Sequence, residues 1–180
     1  MQKTRPKILI GGVGNVLLGD DGFGVELANR LMSHDGLPEW VKVIETGIGG
    51  MSLVQELMYG YEALIILDAY ARGGKPGQLY FLEPVLPDLS ALSAQEIRDY
   101  FADTHYATPI RALSLLAHVA EPPETIRIIG CEPEELDDMK IGLSPVVSVA
   151  VDKAVTMVTD LLKHYPARGL GMVEEKDKTF

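Results

Sequence analysis

Four residues with acidic or imidazole side chains are of types and in positions that could carry chemistry. Asp20 and Asp21 belong to the glycine-rich run 11–22, Asp68 follows the apolar run 63–67, and His105 lies in a polar segment. Carboxylates and imidazoles bind divalent metal ions, and they also act as general acids and bases. These residues are therefore the first candidates for a functional site.

Each candidate also has a purely structural interpretation. Aspartate is a preferred helix N-cap, worth ~1 kcal/mol, and one of Asp20 and Asp21 suffices for that role, which leaves the other free to face a cleft. A carboxylate that ends an apolar strand, such as Asp68, must be hydrogen-bonded, paired or metal-bound, and capping of a loop amide would meet that need. A lone loop histidine such as His105 is more often exposed to solvent than bound to a metal.

Apolar runs alternate with amphipathic segments along the chain, which predicts an α/β fold. Strands are predicted at residues 7–13, 40–46, 63–67, 78–82 and 126–131. Helices are predicted at residues 21–33, 51–59, 93–101, 108–119 and 144–164. They indicate a three-layer α/β/α sandwich around a mostly parallel, twisted sheet of about five strands, with the third strand central. The fourth strand follows the third too closely for a helical crossover, so an antiparallel, hairpin-like return is expected.

Ligands of open α/β sheets bind at the carboxyl ends of the strands. Asp21 follows the first predicted strand, Asp68 ends the third, and His105 lies in a loop after the fourth. We expect the three side chains to meet around one pocket at this edge. Two carboxylates and one imidazole would suit a borderline divalent ion such as nickel or zinc, with coordination positions left open. A Ser-His-Asp triad is not supported, because the chain has no Gly-x-Ser-x-Gly elbow.

The turn after the first strand also imitates a dinucleotide fingerprint. Gly12 and Gly14 have the right spacing, but Leu17 stands where a third glycine belongs. The carboxylates that open the next helix would repel a phosphate from its N-terminus. A flavodoxin-like module that binds a nucleotide or flavin is therefore the alternative hypothesis, and saturable binding at this turn would favour it.

The composition excludes several classes of protein. A formal net charge of -10 argues against nucleic-acid binding, and no run reaches the ~20 apolar residues of a membrane span. Cys131 is the only cysteine, so no internal disulfide can form, and a cytoplasmic location is expected. Cys131 itself is interpreted as a small buried hydrophobe rather than a nucleophile. We predict one domain over residues 1–166 and a flexible tail over residues 167–180.

Several of these segments, in this order, resemble the hydrogenase maturation proteases, endopeptidases that process the large subunit of nickel-iron hydrogenases. The resemblance covers nearly the whole chain up to about His164. The matching segments are 12–25 (GVGNVLLGDDGFGV), 47–51 (GIGGM), 64–69 (LIILDA), the His105 loop and 141–145 (IGLSP). Many relatives have Glu where this chain has Asp21, and Asp where it has Glu45.

The resemblance implies a specific activity and a specific site. Its metal contacts fall on Asp21, Asp68 and His105, and Asp21 and Asp68 are the implied catalytic residues. The implied substrate is a nickel-loaded large-subunit precursor, from which the protease removes a C-terminal extension after recognising the metal. Nickel would arrive with this substrate, and zinc or cadmium would be its substitute in vitro.

Three further points accompany this assignment. We expect the protein to act as a monomer in the cytoplasm. Asp21 or Asp68 would be the general base or only a ligand, and the sequence does not choose between these roles. A docking factor that binds the loaded precursor without cutting it is a third hypothesis.

Overall fold

The computed structural model describes residues 7–48, 51–86, 92–93, 95–96, 113–114, 121–136 and 139–170 of the 180-residue chain. The strands are β1 (Ile8–Val13), β2 (Val41–Gly47), β3 (Ala63–Ala69), β4 (Leu79–Leu82) and β5 (Thr125–Cys131). The helices are α1 (Phe23–Met32), α2 (Met51–Leu57) and α3 (Pro145–Arg168), and a 3-10 turn (Gly19–Gly22) leads into α1. The predicted helices 93–101 and 108–119 lie mostly outside the described residues. No helix in the described part of the chain is both long and apolar enough to span a bilayer.

The five strands form one sheet in the order β2-β1-β3-β5-β4, with β3 at the centre. Strand β1 is parallel to both β2 and β3, and β3 is parallel to β5. Strand β4 is antiparallel to its neighbour β5. The predicted three-layer fold, with a mostly parallel sheet and one antiparallel strand, is confirmed.

The expected hairpin between the third and fourth strands is wrong. Strand β4 is antiparallel as predicted, but it pairs with β5 and leaves β5 between itself and β3. The loop after β3 runs along the end of β5, where Tyr70 N donates to Cys131 O at 2.8 Å and Gly77 N donates to Glu132 O at 2.8 Å. The loop therefore crosses the end of β5, and β4 pairs with the edge of β5 that faces away from β3.

The sheet has two buried faces because its central strands are apolar at every position. All six residues of β1 are buried, and alternate residues point to opposite faces. Ile8 and Ile10 pack in the cluster that contains α1 and α3, and Leu9 packs in the cluster that contains α2. The helices therefore cover both faces, which makes the outer layers of the sandwich.

Helix α1 lies unusually close to the sheet because glycines stand at the contact. A Cβ atom on Gly24 would lie 2.1 Å from Leu67 O and 2.3 Å from Val13 O. A Cβ atom on Gly12 would lie 2.3 Å from Gly24 O. Backbone therefore packs on backbone here, and the start of α1 is fixed against the ends of β1 and β3.

Helix α3 begins with a capped N-terminus, and its C-terminal end lies beyond the one that the sequence predicts. The Ser144 side chain accepts a hydrogen bond from Val147 N, and Pro145 occupies the first turn. The helix continues past the predicted end at 164 to Arg168, and Leu170 is buried in the core. Residues 171–180 lie outside the described part, so the tail stays a prediction.

Replacing Gly24 by alanine should destabilise the protein. In an isolated helix alanine is more favourable than glycine by ~1 kcal/mol. Here, however, its methyl group would overlap the carbonyl oxygens of Leu67 and Val13. We expect a net loss at or above the upper end of the ~1–3 kcal/mol that is typical of overpacking. Urea unfolding measures the change in the free energy of unfolding. Met32→Ala, at an exposed position of the same helix, is the control. A Gly24→Ala protein as stable as the parent would contradict the close packing.

Candidate active site

Asp21 is held at the carboxyl edge of the sheet by the turn that follows β1. Its Oδ2 accepts a hydrogen bond from Asn15 N at 2.7 Å, and Asn15 Oδ1 accepts one from Leu17 N at 3.0 Å. Gly14 has a φ of 140°, and a Cβ atom there would lie 1.9 Å from Asp21 O. The turn therefore closes on its own backbone, and the Asp21 side chain is half-buried.

Asp20 has a different role from its neighbour, and it is not the helix N-cap that the sequence suggests. The N-cap of α1 is Gly22, with no side-chain hydrogen bond. The buried Asp20 carboxylate accepts instead from Ser144 N at 2.6 Å and from Glu134 N at 2.9 Å. One acid of the pair thus ties the turn to the start of α3, and the other is left for the site.

A backbone bridge reinforces this tie between distant parts of the chain. Gly19 N donates to Lys140 O at 2.6 Å, and Lys140 N donates to Leu17 O at 3.0 Å. Leu18 and Lys140 form the corresponding parallel bridge. The segment before α3 therefore fixes the turn that carries Asp21.

Asp68 lies near the end of β3, the central strand, where its side chain is half-buried. The pKa of Asp68 is raised to about 8, chiefly by burial and then by the negative charge of Asp21, while a hydrogen bond from the amide of Ala69 acts to lower it. Strand β3 also contacts the 3-10 turn that contains Asp21. The structure thus puts two of the three predicted site residues on neighbouring elements at the same edge of the sheet.

The third predicted ligand, His105, lies outside the described residues. Within the part of the chain that is described, no group of three His, Cys, Asp or Glu side chains could hold a metal ion. The ligand set Asp21, Asp68 and His105 therefore stays a prediction. The acid pair does fit a divalent cation, because a cation would replace the repulsion between two partly buried carboxylates with attraction.

Glu132 is an acid that the sequence reading did not single out. Its buried carboxylate accepts from Tyr80 Oη at 2.6 Å, from Arg72 N at 2.9 and 3.1 Å, and from Gly73 N at 3.1 Å. Burial alone would raise the pKa of Glu132, but the hydrogen bonds from Tyr80 and from the amides of the turn outweigh it and hold the pKa below its ordinary value. This residue fixes the loop that leaves the site after Asp68. The sequence feature that could have identified Glu132 is a carboxylate directly after an apolar strand, the same feature that identified Asp68.

Cys131 is buried, as its interpretation as a small hydrophobe requires. The pKa of the thiol is raised to about 12, chiefly by burial and also by the charges of Asp20 and Glu132. The thiolate that a nucleophile needs is therefore strongly disfavoured.

The sequence and the fold match one known class of protein. The sequence profile described as "Hydrogenase maturation protease" matches residues 25–161. The chain therefore belongs to the hydrogenase maturation protease family, and it is an endopeptidase. This match favours the endopeptidase over the nucleotide-binding alternative.

Individual relatives agree with the family. The chain is 31% identical over 158 residues to the hydrogenase 2 maturation protease of Escherichia coli, covering 87% of this chain and 91% of the relative. It is 32% identical over 149 residues to the hydrogenase expression/formation protein HupD of Rhodobacter capsulatus, covering 83% and 68%.

Solved structures show the same fold. The hydrogenase maturating endopeptidase HybD of E. coli superposes with a TM-score of 0.69 at 28% identity, over 88% of this chain and 93% of that one. The hydrogenase 2 maturation peptidase of a Thaumarchaeota archaeon gives 0.63 at 30% identity, over 87% and 98%.

The raised pKa of Asp68 makes the stability of the metal-free protein depend on pH. An unfolded aspartate has a pKa of about 3.9, so between that value and about 8 the folded state binds the extra proton. The contribution of Asp68 to the free energy of unfolding is fully present below about pH 3.9 and is lost as the pH rises through about 8. Asp68→Asn should remove this dependence of stability on pH. At pH 9 its free energy of unfolding should exceed that of the parent by more than about 1 kcal/mol. Urea unfolding across pH measures it.

The exposed Asp35 supplies the control, since Asp35→Asn should keep the parental pH profile. Asp21→Asn should lower the pKa of Asp68, because it removes the charge that repels the second carboxylate. An Asp68→Asn profile parallel to that of the parent would contradict this account.

Glu132→Gln should destabilise the protein by about 1–3 kcal/mol at pH 7, because an amide group would face donors that a carboxylate now accepts from. The lowered pKa of Glu132 means that its contribution is present above the unfolded pKa of about 4.3 and is lost as the pH falls through the folded value. The difference between variant and parent should therefore shrink in acid. Urea unfolding at pH 7 and pH 3 tests this, with the exposed Glu135→Gln as control.

Proposed function

We propose that this protein removes the C-terminal extension of a nickel-iron hydrogenase large-subunit precursor after recognising the nickel inserted in it. The observation that carries the proposal is the contact between β3, which contains Asp68, and the 3-10 turn, which contains Asp21, at the carboxyl edge of the sheet. Membership of the maturation protease family and the names of the relatives supply the reaction class. The proposed substrate is thus a protein that carries a metal, and the acid pair is the part of the enzyme that meets this metal.

The nickel in this proposal belongs to the substrate. Asp21 and Asp68, with His105, would contact it when the precursor docks. Two carboxylates that repel one another gain electrostatic stabilisation from a divalent cation, and they gain nothing of the kind from a metal-free precursor. The difference in binding between loaded and empty precursor then follows from the charge of the site.

Hydrolysis of the peptide bond needs a group that accepts a proton from water and a group that donates one to the leaving nitrogen. Asp68 has a pKa of about 8 in the metal-free protein, so it exchanges a proton near neutral pH. A cation beside it would favour the carboxylate form and release this proton. Asp21 or Asp68 therefore serves either as general base or as a metal contact only, and the kinetic effects of their variants separate the two roles.

We further propose that the enzyme works as a monomer in the cytoplasm. The single, deeply buried cysteine supports a reducing compartment, because no disulfide contributes to the fold.

The decisive experiment mixes the purified protein with nickel-loaded and nickel-free precursor and follows shortening of the large subunit by mass spectrometry. The loaded precursor should be cut and the empty one should not. Asp21→Asn and Asp68→Asn should each reduce the rate by at least about 100-fold, as expected for a lost acid-base group, while the protein stays folded. His105→Ala should have the same effect.

The matched control is Asp35→Asn, an identical change at an exposed position after α1. It should process the precursor at the parental rate. Equal cutting of loaded and empty precursor would contradict metal recognition, and normal rates in both acid variants would contradict the site. Binding of the loaded precursor without any cutting by the parent would favour the docking factor.

A further inference from the structure

A cleft of about 370 Å³ lies between the turn after β1, α1 and the segment that precedes α3. Two of its lining residues, Gly19 and Gly22, are the ends of the 3-10 turn that carries Asp21. The cleft thus adjoins the turn that carries one residue of the proposed site. Its volume falls in the range of about 300–1,000 Å³ that is usual for ligand pockets.

The walls of this cleft are largely apolar and partly open to solvent. Val16 lines one side and is 48% exposed, and Ile141 lines the other and is 85% exposed. Val25 and Leu143 also contribute to the lining. Leu17 and Met139, next to these walls in the chain, are exposed as well. An exposed apolar patch next to a site commonly marks an interaction surface.

Hydrogen bonds between distant segments of the chain help to hold the cleft in shape. The bridge between Leu18 and Lys140 joins the two segments that carry Val16 and Ile141. The hydrogen bonds of Asp20 to Ser144 N and Glu134 N hold the same segments. A partner therefore meets a surface whose backbone is already ordered, which lowers the entropy lost on binding.

The charges around the cleft limit what it can bind. Glu26 lines the cleft, and it is paired with Arg30 at 3.1 Å. Asn29 and Ser148 are the neutral polar residues of the lining. The cleft thus offers apolar area with few polar groups and no excess of cations to attract an acidic segment.

We propose that this cleft binds an apolar segment of the large-subunit precursor, and so positions the precursor with its metal at Asp21. This inference rests on the proposed function and adds the surface that selects the substrate. The segment is apolar because Val16, Ile141 and Leu143 would be buried against it. It lies close to the metal in space because the cleft and Asp21 share one turn.

The test uses Val16→Asp and Ile141→Asp in the full-length protein with nickel-loaded precursor. Both side chains are exposed, so the fold should persist, and circular dichroism and urea unfolding check that it does. Burying one aliphatic side chain corresponds to about a tenfold change in affinity or more. We expect each variant to raise KM for the precursor at least tenfold, with kcat at saturating precursor within about twofold of the parent. Ile141→Leu should keep the parental KM, because it preserves the apolar contact.

The matched control is Met58→Asp, at a position that is 63% exposed near the end of α2, in the opposite layer of the sandwich. It should leave KM unchanged. Parental KM in both cleft variants would overturn the inference while leaving the proposed function intact. A parent that does not cut loaded precursor would instead overturn the proposed function. Sizing chromatography supplies one more outcome: a parent dimer that Ile141→Asp dissociates would assign the cleft to a second copy of the chain and overturn the proposal.

Discussion

The close contact between α1 and the sheet is the constraint on which the rest of the molecule depends. Gly24 places the helix backbone directly against the ends of β1 and β3, and Gly12 leaves room for it from the strand side. The 3-10 turn at the start of this helix therefore lies beside the last residues of β3. The turn that carries Asp21 therefore contacts the strand that carries Asp68, and a side chain at Gly12 or Gly24 would force the helix away from the sheet.

Four buried or half-buried acids lie in the segments around this contact, and they differ in how their charge is balanced. Asp20 accepts hydrogen bonds from two backbone amides, and Glu132 accepts them from backbone amides and the Tyr80 hydroxyl, so both hold the loops around the site in place. Asp21 also accepts a hydrogen bond, from Asn15 N, so hydrogen bonding alone does not separate the two groups. The difference is the repulsion between Asp21 and Asp68, and a mutually repelling pair is suited to an incoming cation.

Much of this arrangement could be predicted from the sequence, because the features that determine it are local. The apolar runs predicted the strands, and the carboxylate after the central run identified Asp68 as a candidate. Residue types could not separate the roles of Asp20 and Asp21, since that depends on which way a 3-10 turn directs two adjacent side chains. The partner of β4 was also missed, because the length of the loop after β3 does not reveal which strand it passes. Glu132 carried the same signal as Asp68 and was overlooked because no motif contains it.

The bond between Asp20 and Ser144 joins positions that are 124 residues apart in the chain. Proteins are synthesised from the N-terminus, so the turn that carries Asp21 leaves the ribosome long before its anchor exists. The acid pair can reach its final arrangement only after the start of α3 has emerged. A nascent or C-terminally truncated chain would therefore lack this anchor for the turn that carries Asp21.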